Sequence, residues 1–386
     1  MPRKPDLAQA LAPLQARITS ILALLRAPQP SPSSSPASTS TPPPPPIAAV
    51  RSDLIALLGL LSKESTNLTL ALKPPVSGAA VLGTVDKVRE ALDKVGFLAE
   101  QCPREAGALA KQINWTTQES LENLSHLLSA AAQALSAPPA SANSTREGVL
   151  RAAKAFWAAC DRAAKELPAD ELEAVRRGWR DTLGLLDDCL DEVAELAAGG
   201  GEEDDDDEEE EEEDDDDDDG LTTPSQRAAL TSQELARIDA ARLLLRLSRL
   251  LLNRLLTTTT PTSPPPPSPS PSSSSATPAG LTTPAFLAAS RPLVSQLSAL
   301  ADDLALALSP PQDGTALGEV SRALCGATDR LAGAMEEAAA ASSDERERAG
   351  EGEREEREKE KEREGEWFKM WRVQRDAARK RLDEAI

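Results

Sequence analysis

Tyrosine is absent from this chain, and aromatic residues of any kind make up only 2% of it. Histidine occurs once, at His126, and cysteine four times, at Cys102, Cys160, Cys189 and Cys325. A single histidine leaves no Ser–His–Asp triad and no His-based zinc cluster. The cysteines have no Cys-x-x-Cys spacing and no disulfide framework. Cys160 and Cys189 fall on or beside apolar stripes, read as small core residues, and fit a reducing compartment. No Gly-rich phosphate loop, His-Glu-x-x-His, EF-hand loop or Gly-x-Ser-x-Gly elbow occurs. The acid pairs Asp187-Asp188 and Asp302-Asp303 lie in helical stretches, where such pairs form a solvated face. No catalytic, cofactor-binding or metal-ligating residue is therefore singled out. No cofactor is expected, and the chain reads as a non-enzyme. No apolar run approaches the ~20 residues that span a bilayer, and the N-terminus offers no signal peptide.

What the chain does contain is leucine and alanine, which dominate the 40% of residues that are hydrophobic. With few β-branched residues this favours helix over sheet, so the expected fold class is all-α. Net charge is −22 over 386 residues, and the unbroken Asp/Glu run 202–219 carries eighteen of those charges. The acidity is thus one local block, which cannot collapse on itself and is expected to be disordered. It reads as a solvated spacer, or as a lure for basic partners acting over a Debye length of about 8 Å.

Apolar residues spaced three and four apart predict a series of helices. An N-terminal amphipathic helix over 5–26 carries Leu14, Ile18, Ile21, Leu22 and Leu25 on one side. Its arginines also suit a transit peptide. A Pro/Ser-rich linker, 27–46, follows. The next helix, 47–72, has Glu64 and Ser65 on its apolar stripe, so each must find a buried hydrogen bond or open to solvent. Helices over 79–100 and 103–136 come next. His126 falls on the polar face of the latter, opposite Leu121, Leu124, Leu128, Ala131 and Leu135. Residues 150–197 read as two helices. Leu150, Ala153, Trp157, Cys160, Ala164 and Leu167 stripe the first, and Leu172, Val175, Trp179, Leu183, Leu186, Leu190 and Val193 the second. Pro168 stops the first, and Asp170 with Glu173 caps the second. So short a connection predicts an antiparallel hairpin, apolar faces together.

Beyond the acidic segment, 199–225, lies a C-terminal helical region over 226–386. It holds low-complexity inserts at 257–283 and 343–366. Thr231 and Glu234 form a second capping box ahead of a leucine-rich helix over 235–256. Arg242, Arg246 and Arg249 stripe that helix, as in a membrane-surface helix or a core helix wetted along one strip. Further helices are expected over 293–308 and 315–342. Residues 344–366 form an exposed Glu/Arg helix or a disordered stretch. Trp367, Met370, Trp371 and Leu382 then return the chain to a core. Arg372, Arg375, Arg379, Lys380 and Arg381 raise nucleic-acid binding, which the acidic block opposes. No direct nucleic-acid partner is expected.

Three stretches together resemble the cyclin-D-binding (GCIP) family. The first is Glu64-Ser65-Thr66-Asn67-Leu68-Thr69-Leu70. The second is Phe156-Trp157-Ala158-Ala159-Cys160 followed by Leu167-Pro168-Ala169-Asp170. The third runs from Asp302-Asp303-Leu304 to Ser309-Pro310-Pro311, and Trp367 opens a last helix. The resemblance implies an all-helical fold, no cofactor, and residence in nucleus and cytoplasm. It implies binding to D-type cyclins and helix-loop-helix transcription factors, with restraint of cell-cycle entry. The Pro/Ser inserts and the charged stretch 344–366 are departures from that pattern.

The expectation is a non-enzymatic regulator of cell-cycle progression. An N-terminal bundle, 47–198, is closed by the 150–197 hairpin, and the acidic segment joins it to the C-terminal region. The rival reading is a membrane-peripheral or structural adaptor anchored by 235–256. Deleting 202–219 is expected to leave the far-ultraviolet circular dichroism of the remaining chain unchanged; loss of helical signal would contradict a spacer.

Overall fold

In a computed structural model, the residues described are 4–27, 45–102, 107–138, 142–198, 230–259, 279–346 and 354–386. Among them are ten α-helices, one 3₁₀ turn and no strand, so the fold is all-α. Residues 28–44, residues 199–229 with the acidic segment 199–225, and most of the insert 257–283 lie outside the described residues, as does 347–353. Two compact units result, Met1–Val175 and Arg176–Ile386.

The first unit holds α1 (Lys4–Arg26), α2 (Ile47–Ala71), α3 (Gly78–Gln101), α4 (Ala108–Ser136) and α5 (Ala142–Glu166). Neighbours run α2, α3, α1, α4, α5 and back to α2, a closed ring of five helices around one core. The N-terminal helix is thus part of this bundle rather than a separate element. By length and composition Asp6–Arg26 could cross a membrane. Instead Leu7, Leu11, Leu14, Ile18 and Ile21 are each at most 2% exposed, packed in the core. Fully burying one such side chain stabilises by roughly 1.5–3 kcal/mol, which explains why α1 stays docked. Polar links border it: Arg17 to Asp93 of α3, Gln15 to Ser129 of α4 and Arg26 to Glu122 of α4.

The α5 stripe is rotated from its expected position. Val149, Ala153, Phe156, Cys160, Ala163 and Leu167 are buried, whereas Leu150 is 40% exposed and Trp157 is half-buried. Two bulky rings sit side by side at 156 and 157, and periodicity alone did not decide which of them faces inward. The core takes Phe156, because Trp157 can satisfy its indole N–H at the core's edge.

Around Pro168 the capping pattern holds. Asp170 accepts the N–H of Glu173 (2.8 Å), and the Glu173 carboxylate accepts the N–H of Ala169 (2.6 Å). The next helix, α6 (Glu171–Ala197), begins in the first unit. Its Glu171 accepts the N–H groups of Ala108 (2.6 Å) and Leu109 (3.0 Å). A carboxylate there meets the positive end of the α4 dipole. Gly107, with φ +108°, makes room, since a Cβ would lie 2.5–2.7 Å from that carboxylate.

From Arg176 onward α6 belongs to the second unit, so the boundary falls inside α6 rather than at the acidic segment. The faces expected to close on each other each find partners within their own unit. α5 packs on α4 and α2. Trp179 of α6 meets Phe286 edge-on at 6.4 Å, and Leu186 and Val193 are fully buried. The physical reason is supply: α4 and α2 already cover α5, and the buried stripe of α6 packs among helices that follow it in the chain.

Those helices are α7 (Ser232–Thr259), α8 (Pro284–Ala307), α9 (Gly314–Arg346) and α10 (Arg354–Ala385), with the 3₁₀ turn Ala279–Thr282 before α8. α7 starts at the expected capping box, where Thr231 N–H and hydroxyl both donate to Glu234 (2.8 Å each). The backbone bond, then the hydroxyl, holds the Glu234 carboxyl below the usual range. α7 outruns its expected end because Thr257, Thr258 and Thr259 each donate a hydroxyl back to a carbonyl of the preceding turn. Thr283 caps α8 earlier than hydrophobic periodicity suggests, with Pro284 in the first turn. On α10 the core residues are Phe368, Trp371, Ala378 and Leu382, while Met370 is 63% exposed.

Phe156→Ala is expected to destabilise the protein by about 3–5 kcal/mol in chemical denaturation, and Leu150→Ala by under about 1 kcal/mol. Equal costs would contradict the rotated stripe.

Candidate interaction surface

The two signatures closest to each other in space meet between α2 and α5. The indole N–H of Trp157 donates to Ser65 Oγ at 2.8 Å, and the Ser65 hydroxyl donates to the carbonyl of Ser62 at 2.7 Å. Glu64 is 3% exposed. It accepts from Asn67 Nδ2 at 3.0 Å and lies 3.9 Å from Lys87 Nζ of α3. The polar interruption at Glu64 and Ser65 is therefore a set of internal hydrogen bonds rather than a mouth to solvent. Arg51 of α2 adds two bonds to the carbonyl of Leu167, at 2.8 and 3.2 Å. In the second unit the Cys189 thiol donates to Asp302 at 3.3 Å, joining α6 to the Asp302–Pro311 stretch. The signatures are joints between helices, and their polar atoms are used internally.

Reactive chemistry is held off. All four cysteines are free and buried. Burial, then the charge of Asp161, pushes the Cys160 thiol up to about 12. Burial, then the hydrogen bond to Asp302, pushes Cys189 up to about 12, and burial raises Cys325 to about 11. Among the described residues no three His, Cys, Asp or Glu side chains are placed to hold a metal ion. His126 is exposed on the polar face of α4, as expected. Asp187 pairs with Arg249, Asp302 takes the Cys189 thiol, and Asp188 and Asp303 face solvent.

The basic C-terminal helix is largely neutralised. Arg372 forks onto Glu336 at 3.0 and 2.5 Å. Arg375 is 6% exposed, bonds Asp329 and Asp376, and lies over Trp371. Arg379 and Lys380 pair with Asp383 and Glu384 one turn on. Cations so matched have little left for phosphate. In α7 the leucines are likewise taken: Leu244, Leu245, Leu251, Leu252 and Leu255 are at most 2% exposed. That packing removes the apolar face a membrane anchor would need.

What remains for a partner is the outward side of the bundle. Trp115 of α4 is 63% exposed and Phe97 of α3 is 61% exposed. In a chain with nine aromatic rings, two lie open on the surface of the first unit. Tryptophan is the side chain most enriched where truncation costs binding most. Trp115 shares its face with Glu119 and Glu122, which are engaged by Arg162 of α5 and Arg26 of α1. The sequence held the signal: Trp115 lies six residues before Leu121, on the opposite side of the helix.

Native protein at about pH 8 is expected to react negligibly with a thiol reagent, and four thiols to react after denaturation. The raised thiol pKa values stabilise the fold fully below about 9. That contribution is lost as pH rises through about 11 to 12, so stability measured by denaturant should fall across that window. Rapid labelling of the folded chain would contradict the buried, protonated thiols.

Comparison with known proteins gives one family: residues 53–199 match the Grap2 and cyclin-D-interacting, N-terminal family. No curated protein matches the chain. The matched segment begins within α2, ends just past α6, and contains both the Glu64–Leu70 stretch and Phe156–Asp170. Over residues 53–199 the chain is thus similar to the N-terminal domain of the Grap2 and cyclin-D-interacting (GCIP) family.

Proposed function

We propose that this protein is a non-enzymatic regulator of cell-cycle progression that works by binding other proteins. Its first partner class is a D-type cyclin. Helix-loop-helix transcription factors are the second, and the protein acts in nucleus and cytoplasm. The observation that carries the reading is the family match over 53–199, whose name joins cyclin D and Grap2. Two physical features support it. The thiols are buried and protonated, so the obvious nucleophiles are out of reach. The same domain leaves Trp115 and Phe97 largely open to solvent, large aromatic side chains of the kind that partners cover.

The test is titration of the purified full-length chain with a purified D-type cyclin, followed by light scattering or calorimetry. Saturable binding is expected, and Trp115→Ala should weaken it by about tenfold or more with thermal melting unchanged. Absence of binding up to the solubility limit overturns the cyclin reading. Fractionation of cells into nuclear and cytoplasmic pools checks the localisation.

A further inference from the structure

Unpaired positive charge in the first unit gathers on one face. Lys63 and Lys73 of α2 and Arg146, Arg151 and Lys154 of α5 are all exposed, and none has an acidic partner among the described residues. On the other faces Arg17, Arg26, Lys94 and Arg162 are each held by an acid.

The five free cations surround two leucines. Trp157 bonds Ser65 and Arg51 bonds the Leu167 carbonyl, so α2 and α5 run antiparallel. Those two bonds bracket the register and set Leu70 level with Leu150. Leu70 is 64% exposed and Leu150 is 40% exposed. On α2, Lys63, Thr66, Leu70 and Lys73 follow at spacings of three and four and form its outer edge. On α5, Leu150 and Lys154 lead by the same spacing to Trp157, which is half-buried at the seam between the helices. Two acids belong to this stretch. Glu147 is exposed between Arg146 and Arg151, and Glu64 is buried facing Lys87 of α3. Asp161 and Asp53 lie beyond Trp157, toward the other end of the seam. Around the leucines, five exposed cations thus stand against one exposed acid, on a chain of net charge −22.

We infer that this outer face of α2 and α5 is a docking site for an acidic segment of a partner protein. That segment sets apolar side chains against Leu70 and Leu150, and carboxylates against the lysines and arginines around them. Its chemistry follows from the face itself. Complementary charge steers and selects the partner, and the leucines supply the apolar anchor. Nucleic acid is a poorer match, because it is held by cations together with stacking rings. The one ring here, Trp157, is half-buried and its N–H is spent on Ser65. An occupant of acids alone would leave both leucines wet. The face is also distinct from the Trp115 surface. Trp115 lies one turn before Glu119, which meets Arg162 near the C-terminal end of α5, whereas Leu150 is near its N-terminal end. The inference does not depend on the cyclin reading.

The full-length protein is titrated into a fluorescein-labelled peptide of leucine and glutamate. Saturable binding that weakens as salt is raised is expected. The Lys73→Glu, Lys154→Glu double variant and, separately, Leu70→Asp should each weaken it by about tenfold or more. All three positions are exposed, and circular dichroism with thermal melting checks that each variant is folded. Trp115→Ala should leave peptide binding intact whatever it does to cyclin binding. Absence of peptide binding, or equal binding by the variants, overturns the proposal. Equal binding of oligoglutamate lacking leucine would reduce the face to bare charge and overturn it too. Binding of duplex DNA or phosphatidylserine vesicles in place of the peptide would assign the face to phosphate. Self-association abolished by Leu70→Asp would assign it to a second copy, and a tenfold gain in peptide affinity on deleting 202–219 to the chain's own acidic run; each of these outcomes overturns a partner protein as the occupant.

Discussion

Arg51 reaches from α2 to the carbonyl oxygen of Leu167 and holds the last turn of α5 at the point where Pro168 forbids another. Around that break the chain changes allegiance. Glu171 still serves the first core by capping α4, and Val175 is buried at the end of the first unit. One turn later Trp179 is packed on Phe286 in the second. A chain with so few aromatics builds each core mostly from leucine stripes, and each stripe covers only part of a helix surface. Stability therefore rests on every helix finding several neighbours, which a ring of five helices supplies in the first unit.

That economy explains why the motifs that carry the family resemblance are structural joints. Ser65, Trp157, Glu64 and Asn67 are bonded to one another or to backbone inside the bundle. A buried polar group left without its partner costs more than the bond contributes, so such residues come as matched sets. The large apolar side chains that the core leaves out, Trp115 and Phe97 among them, stand on the surface.

Electrostatics divides along the same line. Arg372, Arg375 and Arg379 of α10 are consumed locally by Glu336, Asp329, Asp376 and Asp383. Partly exposed pairs of this kind add little stability each. Their larger effect is to cancel the field of a helix that looks strongly basic in one dimension. On α7, Arg242 and Arg246 have no acidic partner among the described residues, and Arg246 is exposed.

Much of the architecture was legible from residues alone. Leucine-alanine composition and three-four spacing determine an all-α chain, because those residues lose little on entering a helix and leave one side to bury. The caps at Asp170–Glu173 and Thr231–Glu234, the stop at Pro168 and the inward polar pair Glu64–Ser65 follow from local chemistry, and all stand as expected. Only the tertiary structure decided between Phe156 and Trp157, adjacent rings with equal claim on the core. It also assigned α6 past Val175 to the second unit and α1 to the first, since periodicity says that a face must be covered and not by which helix. Which arginines of α7 are neutralised was settled there too, because the acid that answers Arg249 lies sixty-two residues away in sequence.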